Sequence, residues 1–245
     1  MGHLISKFIF YPPNPVPFQP HPDLLILTQN SIQIPVFYIK VPNPRATILF
    51  SHGTASDISE NYNFLKTVAQ TTQTNILLYE YLGYGWAKQL NPSLEPSEDG
   101  CYTSIDIAYE FLTLVENIDP KTIILWGYSL GSGPSCDLAA RAVCGGVYIE
   151  CGFLSVLNIT SFNFIQSEFD FFENYNKIPS IQAPMVFIHG QKDMLIPVRH
   201  AIDMNLLAPH SLGVIVIEDG THTNLNGEHF NIIIQGLERL LCKVM

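Results

Sequence analysis

The chain has 245 residues, enough for one domain with a sizeable core, and 47% of them are hydrophobic against 14% charged. That apolar content excludes a disordered chain, and a formal net charge of −10 with 12 Lys and Arg makes a nucleic-acid partner a poor fit, because such a surface repels phosphate. Five cysteines (Cys101, Cys136, Cys144, Cys151 and Cys242), without a C-x-x-C pair, fit reduced thiols better than a disulfide framework or a zinc knuckle.

At the N-terminus, Met1-Gly2-His3-Leu4-Ile5-Ser6 fits the myristoylation pattern M-G-x-x-x-[S/T], in which Gly2 carries the acyl group on its amine. The competing reading is an ordinary N-terminal arm docked on the domain. Residues 1–50 hold Lys7, Lys40 and Arg45 against Asp23 alone, which suits an anionic membrane surface. One acyl chain binds a membrane only marginally, and Lys7 with Phe8, Ile9, Phe10 and Tyr11 is the second signal on offer. Leu4 to Phe10 is interrupted by Lys7 and lacks a small-residue cleavage site, so it does not read as a secretory signal. Six prolines in 11–22 make an extended arm. The expected organisation is an arm over 1–23, expected to be lipidated, and a domain over 24–245, cytoplasmic and held on the cytoplasmic face of a membrane.

From residue 24 short strands alternate with helical patterns. Residues 24–28 and 34–40 suggest an antiparallel pair, and 47–51, 75–79, 122–126, 146–150, 185–189 and 213–217 read as further strands. Helical spacing covers 61–70, 103–117, 130–143, 197–207 and 228–243. The strands are continuous apolar runs, as expected when helices cover both faces of a mostly parallel sheet. The pattern predicts one doubly wound α/β domain.

In such sheets ligands bind beyond the carboxyl ends of the strands. Gly127-Tyr128-Ser129-Leu130-Gly131 is a G-x-S-x-G between a strand and a helix, the context a nucleophile elbow needs. Asp193 follows the strand 185–189 and His222 follows 213–217, giving the order Ser, Asp, His of an acyl-transfer triad. Glu150 is the reserve acid and His229 the reserve base. His52 and His189 read as structural turn residues. The oxyanion donors expected are the backbone N–H groups of Leu130, directly after the nucleophile, and Thr54, after the strand 47–51. No metal or cofactor motif competes, and none is expected.

Five ordered segments carry a resemblance: Ser-His-Gly-Thr-Ala (51–55), Tyr-Leu-Gly-Tyr-Gly (81–85), Gly-Tyr-Ser-Leu-Gly (127–131), His-Gly-Gln-Lys-Asp (189–193) and Gly-Thr-His-Thr-Asn (220–224). On these the chain resembles the α/β-hydrolase-domain serine hydrolases, and within them the compact subgroup that includes protein depalmitoylating thioesterases. Thr54 stands where that subgroup usually has Asn and Glu80 where it has Asp, and the cysteine cluster that its depalmitoylases carry near the N-terminus is absent before Cys101. The resemblance implies the α/β-hydrolase fold with no lid or a minimal one, and cleavage of an acyl ester or thioester, on an acylated protein or a lipid ester. The alternatives are a general carboxylesterase or lipase, and a non-catalytic binding protein on the same scaffold. Residues 151–184 are too few for a large lid. Their apolar residues, Phe153, Leu154, Val156, Leu157, Ile159, Phe162, Phe164 and Ile165, either wall an acyl pocket or pack a short helix on the core.

Overall fold

A computed structural model describes residues 9–14, 17, 19–159 and 170–244. Gly2 and the segment holding Phe162, Phe164 and Ile165 lie outside the described residues. Eight strands form one sheet in the order β1-β2-β4-β3-β5-β6-β7-β8. They are β1 (Leu24–Gln29), β2 (Ile32–Ile39), β3 (Thr47–Ser51), β4 (Asn75–Tyr79), β5 (Ile123–Tyr128), β6 (Gly146–Glu150), β7 (Met185–Gly190) and β8 (Ser211–Ile217). β2 runs antiparallel to β1 and β4, and β3 to β8 are parallel. The β1–β2 hairpin turns on Asn30 and Ser31, both at positive φ (48° and 68°), the twist a two-residue connection requires.

Alternation along the central strands feeds two separate cores. Leu49, Leu77 and Leu125 point to one face, where α3 (Glu98–Glu110), α4 (Ser132–Arg141) and α7 (Arg199–Leu207) cover them with Ile105, Cys136 and Met204. Ile48, Phe50, Ile124 and Trp126 point to the other, under α1 (Ile58–Thr72) and α9 (Phe230–Val244), which supply Leu65, Ile233 and Leu237. The sheet is therefore buried on both sides, which explains the unbroken apolar runs.

Four shorter segments complete the order: α2 (Gly85–Leu90), α5 (Val156–Ile159), α6 (Asn174–Lys177) and α8 (Leu225–Glu228). Helix starts differ from the sequence reading where a polar cap decides them. α1 begins at Ile58, three residues before the apolar pattern suggests, because the Asp57 carboxylate accepts from the N–H groups of Ser59 and Glu60. α3 begins at Glu98, five residues before the expected start, because the Ser97 hydroxyl accepts from Gly100 N–H. It then runs into a π-turn over Phe111–Val115. α2 is six residues long, too short to show a period.

Parallel pairing aligns the strand ends. Ser51 sits opposite Gly127, Tyr128 opposite Glu150 and Gly190 opposite Ile217. The loops after β3, β5, β7 and β8 consequently emerge along one edge.

Candidate active site

Ser129 follows β5 directly and opens a single 3-10 turn, Ser129–Gly131, that feeds α4. Its φ is +52°, a left-handed conformation that a non-glycine residue holds only where its surroundings enforce it. They do so by close approach. A Cβ on Gly127 would lie 2.4 Å from the Gly131 carbonyl oxygen, and one on Gly131 would lie 2.0 Å from the Ser51 carbonyl oxygen. Only glycine fits at either flank, so β5 can turn sharply and carry the serine above the sheet. The Ser132 hydroxyl donates to the Ser129 carbonyl at 2.7 Å and ties the turn down.

The loops after β7 and β8 meet because Gly190 lets them. A Cβ there would stand 2.4 Å from the Gly220 carbonyl. This contact brings Asp193 and His222 together: His222 Nδ1 lies 2.6 Å from Asp193 Oδ2, and His222 Nε2 lies 2.9 Å from Ser129 Oγ. An ionised carboxylate only accepts, so Nδ1 carries the proton and Nε2 faces the serine hydroxyl as an acceptor. The loop that carries the imidazole is held at two further points. The Tyr128 hydroxyl donates to the His222 carbonyl at 2.9 Å, and the Asn224 side chain accepts from Thr221 N–H at 2.7 Å, closing the loop.

Asp193 is buried, and burial by itself favours the neutral acid. Its donors outweigh that: hydrogen bonds from His189 and His222 and the N–H of Ile196 hold the carboxyl well below the usual carboxylate range. Oδ1 accepts from Leu195 N–H at 2.9 Å and Ile196 N–H at 2.8 Å, while His189 Nε2 stands 3.3 Å from Oδ2 and 2.7 Å from the Ile196 carbonyl. His189, read from sequence as a turn residue, thus braces both the acid and its loop.

Thr54 and Leu130, the expected oxyanion donors, line one cavity with Ser129. The cavity measures about 230 Å³, and Phe153, Val156, Ile159, Leu195, Ile196 and Ile9 make most of its wall apolar. The loop that bears Thr54 is braced from below. The Tyr81 hydroxyl donates to the His52 carbonyl at 2.8 Å, and the Tyr81 ring lies 4.0 Å from the His52 ring. His52 Nδ1 donates to the Gly53 carbonyl at 2.8 Å, and its Nε2 stands 3.1 Å from the Glu80 carboxyl, both side chains being buried.

The reserve residues sit elsewhere. Glu150 is fully buried with the Trp126 indole donating to it at 3.1 Å, and burial pushes its pKa up to about 8. His229 ends α8 with its Nε2 3.6 Å from Asp219. Among the described residues one group has metal-ligand chemistry: Cys151, His189 and Asp193, buried, with ligand atoms within 4.8 Å of one another. Asp193 is already committed to His222, and burial keeps the Cys151 thiol protonated by raising its pKa, so the trio suits hydrogen bonding better than metal ligation.

Tyr128, His189, Tyr81 and Asn224 were missed as contributors. All four lie within the quoted motifs, so their positions in 127–131, 189–193, 81–85 and 220–224 were the available signal.

Comparison with known proteins agrees with this frame. The chain is 32% identical over 200 residues to alpha/beta hydrolase domain-containing protein 17C of mouse, covering 81% of this chain and 59% of that protein. It is also 32% identical over 200 residues to protein 17B of Xenopus tropicalis, covering 81% and 66%. The chain belongs to the α/β-hydrolase family. It spans about 59% of the length of the mouse relative. No family model matches it. Among solved structures, mouse alpha/beta hydrolase domain-containing protein 10 superposes with a TM-score of 0.67 at 15% identity, over 91% of this chain and 99% of that one. The Pyrococcus furiosus esterase Pf2001 superposes with a TM-score of 0.70 at 14% identity, over 94% and 99%. Among the described residues no helix is long and apolar enough to cross a membrane.

Proposed function

We propose that this chain is a serine hydrolase that cleaves an acyl ester or thioester. The observation that carries the proposal is the unbroken relay from Ser129 Oγ through His222 to Asp193, at 2.9 Å and 2.6 Å, opening into an apolar cavity. Ser129 Oγ attacks the acyl carbonyl while His222 Nε2 takes its proton. The Leu130 and Thr54 amides face the developing oxyanion. The imidazolium then protonates the departing alcohol or thiol, leaving an acyl-serine, and a water activated by the same imidazole releases the acid. Asp193 stays ionised and fixes the tautomer throughout.

The substrate is an acylated protein or a lipid ester, in keeping with the apolar cavity and with the resemblance to depalmitoylating thioesterases. Gly2 carries a myristoyl group that holds the domain at the cytoplasmic face of a membrane. Its support is the M-G-x-x-x-S sequence, and fractionation of wild type against Gly2→Ala in eukaryotic cells tests it, equal partition counting against it. Ile9 and Phe10, expected to add a second membrane signal, are instead buried in the domain, so that part falls to Lys7 and the exposed Tyr11.

A fluorophosphonate probe tests the hydrolase reading. Wild type is expected to label covalently and Ser129→Ala not at all. Labelling of the alanine variant would place the nucleophile elsewhere, and no labelling of wild type would leave a binding protein on a hydrolase scaffold.

A further inference from the structure

The proline-rich arm is not a mere tether. Ile9 and Phe10 are 8% and 6% exposed, as buried as the domain's own core. Phe10 packs edge-on against Phe172 at 6.0 Å, and Phe172 in turn packs against Phe153 of the cavity wall. Ile9 lines the cavity itself, beside Ser129 and Thr54.

The arm is fastened by one side chain. The Thr54 hydroxyl donates to the Ile9 carbonyl at 2.6 Å, accepts from Tyr11 N–H at 3.0 Å, and lies 3.1 Å from the Tyr84 hydroxyl, itself an available donor. A hydroxyl has one proton to give and two lone pairs, so this clip uses its full capacity. Two of the three partners are backbone groups two residues apart on the arm, so the clip fixes the path of the chain and with it the position of the Ile9 side chain. The residue that makes the clip is also the one whose amide was assigned to the oxyanion.

We infer that residues 9–11 are a working wall of the acyl site, and that Ile9, held by Thr54, sets which acyl chains the cavity admits. The inference rests on the reading of Ser129 as the acyl acceptor. Removing the Ile9 side chain opens the cavity on the arm side and favours longer chains. Enlarging it fills the same space and excludes them. A methylene gained or lost in an apolar pocket changes selectivity by about 10-fold or more.

The test measures kcat/KM for p-nitrophenyl butanoate and dodecanoate on the full chain and takes their ratio. Ile9→Ala is expected to move the ratio at least about tenfold toward dodecanoate and Ile9→Trp at least about tenfold toward butanoate. Thr54→Val removes the hydroxyl but keeps the amide and should shift the ratio as Ile9→Ala does. Thr54→Ser keeps the hydroxyl and should retain the wild-type ratio. Ratios unchanged in Ile9→Ala, Ile9→Trp and Thr54→Val, with Ser129 still labelling, overturn the inference. Calorimetric binding of dodecanoic acid supplies a readout without turnover. If wild type binds the acid, Ile9→Trp binds it at least about tenfold more weakly and no ester is cleaved, the arm's role stands while the hydrolase reading falls. Equal affinity in Ile9→Trp, or no binding and no cleavage by wild type, removes the arm from the site.

Discussion

Two buried carboxyls end neighbouring strands of this sheet, and they are in opposite states. Asp193, just past β7, receives Leu195 and Ile196 N–H on one oxygen and faces His222 and His189 with the other. Glu150, the last residue of β6, is fully buried and accepts from the Trp126 indole, while its second oxygen has no partner among the described residues. Burial acts on both. The donors around Asp193 outweigh it and keep that carboxyl ionised, whereas Glu150 is pushed up to about 8 and is protonated at neutral pH. A strand-end acid can orient a histidine only as an anion, and Asp193 meets that condition because it has more donors and less complete burial than Glu150.

The sharpest way to break this contrast is to neutralise each carboxyl in turn. Asp193→Asn is expected to lower kcat by about 10⁴, because an amide next to His222 Nδ1 favours the wrong tautomer, while Glu150→Gln stays within a few fold of wild type. Ester hydrolysis by the two purified variants checks it. A comparable loss in Glu150→Gln would make the reserve acid the true one. His222→Ala belongs at the same magnitude as Asp193→Asn, and His229→Ala should change kcat little.

A smaller effect is expected from His189, which touches the acid and not the serine. Removing a donor to a charged group costs about 1.5–3 kcal/mol, so His189→Phe should lower kcat by roughly tenfold or more with KM little changed. Without that donor the Asp193 carboxylate draws more strongly on the His222 Nδ1 proton, so the acid limb of the kcat profile moves upward. An unchanged acid limb beside a reduced melting temperature would mean that His189 only holds the loop through the Ile196 carbonyl.

What the sequence disclosed about this site follows from the range of the forces involved. Ser129 was legible because its constraints are local: two glycines, a strand before and a helix after. Asp193 and His222 were legible as strand ends, since parallel strands of apolar residues announce themselves and their termini share one edge. The braces were not. Tyr128 reaches the His222 carbonyl across 94 residues of sequence, and Tyr81 reaches the His52 carbonyl across 29, and neither partnership leaves a period or a spacing. A docked arm was open to the sequence as the alternative to a lipidated one, but prolines predict only an extended path and not that Ile9 and Phe10 end in the core. The early starts of α1 and α3 came from Asp57 and Ser97, cap residues that an apolar period alone does not register.

The smallest expected effect on activity comes with a clear effect on stability. Glu150 has a pKa of about 8 in the folded protein against 4.5 for an unperturbed glutamate. Between those values the folded state holds a proton that the unfolded chain has released. Through this group unfolding releases a proton in that window, and the Glu150 contribution to stability falls as pH rises from about 4.5 to about 8, the carboxyl being neutral in both states below it and ionised in both above. Glu150→Gln presents a neutral side chain of the same shape at every pH, and its amide can still accept from the Trp126 indole. Its denaturant midpoint should thus match wild type near pH 5 and exceed it increasingly toward pH 8. Asp193 has the reverse sign, because its carboxyl is depressed, and its contribution is already complete above the unfolded value of 3.8, so it does not enter the difference between wild type and Glu150→Gln from pH 5 to pH 8. Midpoints of wild type and Glu150→Gln that stay parallel from pH 5 to pH 8 would show that the buried carboxyl does not change charge there, and the contrast between the two strand ends would then rest on hydrogen bonding alone.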